Sequence, residues 1–189
     1  MSDLIKTKSK MVNHNVNHKT TELINSLKNK EKIRILFVCL GNICRSPAGQ
    51  GVMERIVDER GLNDRIFIDS AGISSYHSGD LPDQRMRVHA TRRGLNLTHR
   101  SRQVCSDDFE RFDLILAMDD SNYDHLRRLA NSPEEMDKVK RIASFFRQYR
   151  HWDCIPDPYY GGSEGFENVF DLLDDACQNI ADQIETKQI

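Results

Sequence analysis

Residues 33–47 read IRILFVCLGNICRSP and contain the signals that decide the fold. The run from Ile33 to Val38 is rich in β-branched and aromatic residues, which is typical of a strand buried on both faces. A short loop follows, and Ser46 and Pro47 are typical of a helix start, with Ser46 as the N-cap and Pro47 as the first helical residue. The stretch therefore predicts a strand, a tight loop and a helix in succession.

The rest of the chain repeats this alternation. Further strands are predicted at 65–69, 113–118 and 138–142, with helices at 83–93 and from 119 onward, and a long amphipathic helix over 166–184. Alternating strands and helices predict an α/β fold. We expect a single domain with a small parallel sheet of about four strands, helices on both faces, and the loop of residues 39–45 between the first strand and the first helix.

The composition limits the possible functions. The chain has 189 residues and a formal net charge of -2, which argues against a nucleic-acid-binding protein that depends on bulk positive charge. Its five cysteines are an odd number and favour reduced thiols over a disulfide scaffold. The sequence has no apolar run of membrane-spanning length and no secretory signal, so we expect a cytoplasmic protein without a membrane span.

The first 32 residues differ from the remainder. They contain seven lysines and three acidic residues, whereas residues 33–189 are net acidic. We expect residues 1–32 to be a lysine-rich, mobile extension that contains a short helix near 20–27, and residues 33–189 to be a separate folded domain.

The loop of residues 39–45 has the properties of an anion-binding loop. It lies between a strand end and a helix N-terminus, where free backbone N–H groups and the helix dipole favour negative charge. Gly41 and Asn42 are the residues best able to take the left-handed angles of a tight curl. Cys39 would stand over these donors as a nucleophile, and Arg45 offers a planar fork for two phosphate oxygens.

Two motifs resemble those of the low molecular weight protein tyrosine phosphatases. One is the sequence VCLGNICRSP at 38–47, and the other is DPYYG at 157–161. The resemblance covers about residues 33–186, and residues 1–32 have no counterpart in the compact family domain. It implies hydrolysis of phosphotyrosine in proteins through a phosphocysteine intermediate, with inorganic phosphate as product and without a metal or other cofactor.

The resemblance also implies a role for individual residues. Cys39 would be the nucleophile, Arg45 would bind phosphate, and Asp157 would protonate the leaving group and then activate water. The phosphate would also be bound by the loop residues Leu40, Gly41, Asn42, Ile43 and Cys44. The walls of the pocket would be aromatic, formed by Tyr76, Tyr159 and Tyr160.

Other residues would support the loop. Ser46 would hydrogen-bond the Cys39 sulfur, and Ser70 and His99 would brace Asn42. Cys44 would form a reversible disulfide with the nucleophile, although a simple packed thiol is an equally good interpretation. Asp119 would cap a helix or brace Arg45, and capping is the favoured interpretation.

One departure from the family pattern is Ala48-Gly49-Gln50, where many members have a small residue followed by Ala-Glu. Gly49 predicts a slightly weaker first helical turn.

Three alternatives remain open. An arsenate reductase of the same fold would need two relay cysteines, and Cys105 and Cys154 are far apart in sequence. A phosphoarginine-directed relative would carry Thr where this chain has Ile43. A non-catalytic phosphate-binding module would be expected to lack Cys39 or Asp157. We expect a monomer or a weak dimer.

Overall fold

The centre of the fold is a four-stranded sheet in which every neighbouring pair is parallel, in the order β2-β1-β3-β4. A computed structural model describes residues 20–159 and 161–185. The strands are β1 (Ile33–Cys39), β2 (Ile66–Gly72), β3 (Leu114–Ala117) and β4 (Val139–Arg141). The predicted α/β class and parallel sheet are confirmed, and β2 extends three residues beyond the predicted end at 69 because it pairs with β1 as far as Cys39.

Helices cover both faces of this sheet. They are α1 (residues 20–28), α2 (Arg45–Glu59), α3 (Gln84–Arg92), α4 (Asp108–Arg111), α5 (Asp120–Leu129), α6 (Pro133–Asp137) and α7 (Ser163–Glu185), with a 3₁₀ turn at Ile142–Phe145. The short helices α4 and α6 are too brief to give a helical period in the sequence.

Strand β1 separates two hydrophobic cores because its side chains alternate between the faces. Ile35 and Phe37 point to the core shared with α2 and α7. Leu36 and Val38 point to a second core that includes Phe109 and α5. Burial on both faces explains why the run at 35–38 is continuously apolar, and it holds the end of β1 rigidly beneath the loop that follows.

The expectation of a mobile extension over residues 1–32 does not hold for its described part. Residues 20–28 form the predicted helix, and Ile24 and Leu27 are buried in the same core as α2 and α7. Burial of these two side chains fixes the helix on the domain. The expectation for residues 1–19 lies outside the described residues. Among the residues that are described, no helix is both long and apolar enough to cross a membrane.

Gly49 brings α2 close to the sheet. A Cβ atom at this position would stand 2.7 Å from Cδ1 of Phe37, whose ring is fully buried. Glycine is therefore required at position 49 because a larger residue would collide with Phe37. The prediction of a weaker first turn did not take this contact into account. Close approach of α2 to β1 sets the geometry of the loop that joins them.

Candidate active site

The loop from Cys39 to Arg45 curls around the Cys39 sulfur at the carboxyl end of β1. The Asn42 backbone N–H donates to Sγ of Cys39 over 3.3 Å, and Oγ of Ser46 lies 3.1 Å from the same sulfur. Helix α2 starts at Arg45, so its free N–H groups face the space above the sulfur. The loop therefore combines a buried thiol with hydrogen-bond donors of the kind that bind an anion.

Asn42 holds the curl in place. It is fully buried and has a φ of 54°, in the left-handed region that favours glycine or asparagine. Its Nδ2 donates to Oγ of Ser46 and Oγ of Ser70, both over 2.9 Å. Its Oδ1 accepts from Nε2 of His99 and from the backbone N–H of Arg102, again both at 2.9 Å. Four hydrogen bonds thus fix this strained residue.

His99 and Ser70 contact Asn42 directly, as the sequence reasoning had placed them. Burial lowers the pKa of His99 despite the nearby Asp69 carboxylate, so the ring is neutral at pH 7 and its Nε2 proton is available to Asn42. Ser70 in turn donates to Oε1 of Gln50 over 2.8 Å. Gln50, which departs from the family pattern, is therefore part of the hydrogen-bond network that supports the loop.

The prediction that Ser46 caps α2 is wrong. The N-cap residue is Cys44, and no side chain caps this helix. Ser46 lies inside the first turn, and its hydroxyl contacts the Cys39 sulfur, Asn42 and the carbonyl oxygen of Ala71. The Ser46 hydroxyl therefore stabilises the loop around Cys39 and does not cap α2.

Arg45 is buried to 3% exposure and bridges two carboxylates. Nη1 donates to Oδ2 of Asp119 over 2.5 Å, and Nη2 donates to Oδ2 of Asp157 over 2.7 Å. Burial works against the charged guanidinium, but electrostatic interactions with Cys39, Asp157 and Asp119 outweigh it and raise the pKa of Arg45. Asp119 also caps α5, accepting from Asn122 N–H over 2.7 Å, so it performs both of the roles considered for it.

Asp157 reaches the site from a different part of the chain. Ile155, two residues before Asp157, donates its N–H to the carbonyl of Met118 just after β3, and its own carbonyl accepts from Arg45 over 3.3 Å. The other carboxylate oxygen of Asp157 accepts from the Tyr159 N–H over 3.0 Å. These contacts anchor the loop of residues 155–159, which we call the acid loop, beside the Cys39 loop.

A cavity of about 320 Å³ opens above the Cys39 sulfur. Its lining comprises Cys39, Leu40, Gly41, Ile43, Cys44, Arg45, Ser74, Tyr76, His77, Asp157 and Tyr159. Tyr76 and Tyr159 are exposed at its rim, and Tyr160 lies outside the described residues. A larger cavity of about 860 Å³ at the β4 edge contains none of the predicted site residues, so its size alone does not make it the reaction site.

The cysteines in this region differ in environment. Burial, together with the Asp83 carboxylate, raises the pKa of Cys44, which therefore remains a protonated thiol at neutral pH. Burial also raises the pKa of Cys154. All five cysteines are free thiols. No cluster of three or more His, Cys, Asp or Glu side chains within the described ranges could hold a metal ion.

Sequence reasoning missed two cavity residues, Ser74 and His77. The His77 ring lies over Gly41, where an added Cβ would meet Cδ2 of His77 at 3.2 Å. The same ring packs edge-on against Tyr76, with 4.9 Å between the ring centroids, and its Nδ1 lies 3.1 Å from a carboxylate oxygen of Asp80. The only signal in the sequence was the position of His77 next to Tyr76.

Comparison with known proteins gives a consistent result. The family model described as low molecular weight phosphotyrosine protein phosphatase matches residues 34–189. A low molecular weight protein-tyrosine-phosphatase relative from Synechocystis is 48% identical over 148 residues, which is 78% of this chain and 94% of the relative.

Solved structures share the fold. A protein tyrosine phosphatase from Entamoeba histolytica superimposes with a TM-score of 0.79 at 42% identity, covering 82% of this chain and 97% of that one. A Drosophila arginine phosphatase superimposes with a TM-score of 0.77 at 30% identity, covering 82% of this chain and 100% of that one. With a family model matching most of its length, the chain belongs to the low molecular weight phosphotyrosine protein phosphatase family.

Proposed function

We propose that the protein hydrolyses phosphotyrosine in proteins, and small aryl phosphates, through a phosphocysteine intermediate. The observation that carries the proposal is the joint placement of Cys39, Arg45 and Asp157 around one cavity, with the Cys39 sulfur at its base. The sulfur, the phosphate-binding fork and the proton donor are the three groups that this chemistry needs.

In the first step the Cys39 thiolate attacks phosphorus and the bond to the tyrosyl oxygen breaks. Phosphate oxygens would replace the Asp157 carboxylate as the acceptor of the Arg45 guanidinium, because a dianion competes well for a planar, bidentate donor. Released from Arg45, the Asp157 carboxylate would take up a proton from solvent, turn to the bridging oxygen and donate that proton to the departing tyrosine. The loop N–H groups stabilise the charge on the equatorial oxygens.

In the second step water attacks the phosphocysteine. Asp157 accepts a proton from that water, the sulfur–phosphorus bond breaks, and inorganic phosphate leaves with the thiolate restored. Cys44 cannot replace Cys39 as the nucleophile in these two steps, because the raised pKa of Cys44 keeps its thiol protonated.

The shape of the cavity supports an aryl substrate. Tyr76 and Tyr159 line its rim and Ile43 lines its wall, so a flat phenyl ring would contact apolar and aromatic surface. Ile43 also favours phosphotyrosine over phosphoarginine, the substrate class suggested by the name of the Drosophila relative.

The test is a substrate panel of phosphotyrosine, phosphoarginine and arsenate with a chelator present throughout. We expect phosphotyrosine hydrolysis that the chelator does not affect and that Cys39→Ser abolishes. Preference for phosphoarginine, thiol-dependent reduction of arsenate, or activity retained by Cys39→Ser would each overturn the proposal.

A nucleophilic thiol needs a reducing compartment, so we also propose a cytoplasmic location.

We further propose that peroxide converts Cys39 and Cys44 to a disulfide that thiols reverse, and that the enzyme is a monomer or weak dimer. Peptide mapping after peroxide treatment tests the disulfide, and sedimentation tests the association state. Loss of the Cys39 thiol without a Cys39–Cys44 peptide, or a tight oligomer at micromolar concentration, would contradict these statements.

A further inference from the structure

The first turn of α3 connects the two loops of the site. The backbone N–H of Asp83 donates to the carbonyl of Ile43, in the Cys39 loop, over 2.8 Å. The Asp83 carboxylate then accepts three hydrogen bonds from Arg85: from its backbone N–H at 2.8 Å, from Nε at 3.0 Å and from Nη2 at 2.8 Å. The Arg85 guanidinium is therefore held in a fixed orientation relative to the Cys39 loop.

From this position Arg85 reaches the acid loop. Its Nη1 donates to the Tyr159 carbonyl over 3.1 Å, and its Cζ lies 5.3 Å from the centroid of the Tyr159 ring. The same guanidinium lies 5.2 Å from the ring of Phe166, which is buried in the first part of α7. Arg85 thus contacts residues on both sides of the segment that joins the acid loop to α7.

That connecting segment contains Gly161 and Gly162. Glycine gives a chain more backbone freedom than any other residue, so a loop followed by two glycines loses much conformational entropy when it is fixed. Tyr159 donates its N–H to Asp157, and Arg85 holds the Tyr159 carbonyl on the other side of the same residue. Fixing Tyr159 therefore limits where the Asp157 carboxylate can lie.

We propose that Asp83 and Arg85 form a strap that sets the position of Asp157 relative to Cys39, with Arg85 as a positioning residue for protonation of the leaving group. The inference rests on the proposed function and adds to it a residue that touches neither the phosphate nor the sulfur. When the strap is lost, Asp157 no longer reaches the bridging oxygen reliably, while phosphate binding by Arg45 and the loop N–H groups is retained.

The test compares kcat/KM for two substrates, because kcat/KM reports the step in which the leaving group departs. p-Nitrophenyl phosphate has a good leaving group that needs little protonation, whereas phenyl phosphate has a poor one that depends on the acid. We expect Arg85→Ala to lower kcat/KM about tenfold for phenyl phosphate and less than about twofold for p-nitrophenyl phosphate. Inhibition by inorganic phosphate should remain within about twofold of the wild-type value, because the hydrogen bonds of the Arg85 side chain go to Asp83 and Tyr159 and not to the Cys39 loop.

Matched variants separate positioning from general damage. Arg92→Ala removes an exposed arginine from the same helix and should leave both substrates unaffected. Arg85→Lys keeps the charge and one donor, and should recover part of the loss for phenyl phosphate. In an Asp157→Asn background, Arg85→Ala should cause no further loss that depends on the leaving group, because the group it positions is absent.

An equal loss for both substrates, or none for either, would overturn the strap while leaving the proposed function intact. An additional leaving-group-dependent loss in the Asp157→Asn background would also overturn it. Failure of the proposed function looks different, since wild-type protein would then fail to hydrolyse either substrate or Cys39→Ser would remain active.

Discussion

Removing the Asn42 side chain should destabilise the Cys39 loop by a predictable amount. Asn42→Ala deletes four hydrogen bonds of 2.9 Å. Each is worth about 1 kcal/mol net, and a buried donor left without an acceptor costs about 1–3 kcal/mol. The hydroxyls of Ser46 and Ser70 keep other partners, so the larger losses fall on His99 and on the Arg102 N–H.

The backbone of Asn42 adds a second contribution. At a φ of 54°, alanine carries a steric cost of about 1–2 kcal/mol that glycine avoids. We therefore expect Asn42→Gly to lower the free energy of unfolding by about 4 kcal/mol and Asn42→Ala by about 5–6 kcal/mol. Both variants lose the hydrogen bonds, so the difference between them isolates the backbone strain.

Equilibrium urea unfolding of the wild type and both variants measures these differences, and the inhibition constant of inorganic phosphate reports the state of the loop. We expect weaker phosphate binding in both variants. A change of less than about 1 kcal/mol in Asn42→Ala, with normal phosphate binding, would refute the idea that this network holds the loop. Equal stability of the alanine and glycine variants would show that the left-handed backbone carries no strain.

Three further predictions concern packing, pH and the proton donor. Gly49→Ala should lower the melting temperature despite the higher helix propensity of alanine, because its Cβ would stand 2.7 Å from the rigid Phe37 ring. The control variant Gly51→Ala meets only a terminal methyl of Leu97 and should be tolerated better. Equal melting temperatures of the two variants would contradict this prediction. Glu167 accepts a hydrogen bond from His89 and interacts with Arg93, and these interactions lower its pKa below the usual 4.5. The stabilising effect of Glu167 is therefore present above pH 4.5 and is lost as the pH falls through the lowered pKa. Glu167→Gln should reduce the dependence of the free energy of unfolding on pH in this acid range. The prediction would be refuted if urea unfolding at several pH values gave the same change in free energy with pH for the variant and the wild type. Asp157→Ala should slow phenyl phosphate hydrolysis about a hundredfold while inorganic phosphate inhibits almost as before; unchanged rates would remove Asp157 from the acid role.

The sequence predicted the sheet and the main helices because their signals are local. Burial of both faces of β1 requires the apolar run at 35–38, and Cys39, Arg45 and Asp157 lie within motifs short enough to recognise in one stretch of chain. Asn42 was also predictable, since few residues other than glycine tolerate its backbone angles.

The misses depend on contacts between distant parts of the chain. Ser46 fits the pattern of an N-cap, and only the approach of Cys39 and Ala71 shows that its hydroxyl serves the loop. The contact of Arg85 with Tyr159 was not predicted, because nothing near Arg85 in the sequence points to a residue 74 positions later. Gly49 likewise reads as a weak helix residue until Phe37 is placed beneath it.

The central claim is that the Cys39 sulfur carries the phosphoryl group during turnover. Rapid quenching of the enzyme during hydrolysis of a phosphotyrosine peptide, followed by mass mapping, tests this directly. The account predicts one phosphoryl group on the peptide that contains Cys39 and none in Cys39→Ser. A phosphoryl group on another residue, or steady turnover by Cys39→Ser, would contradict the account.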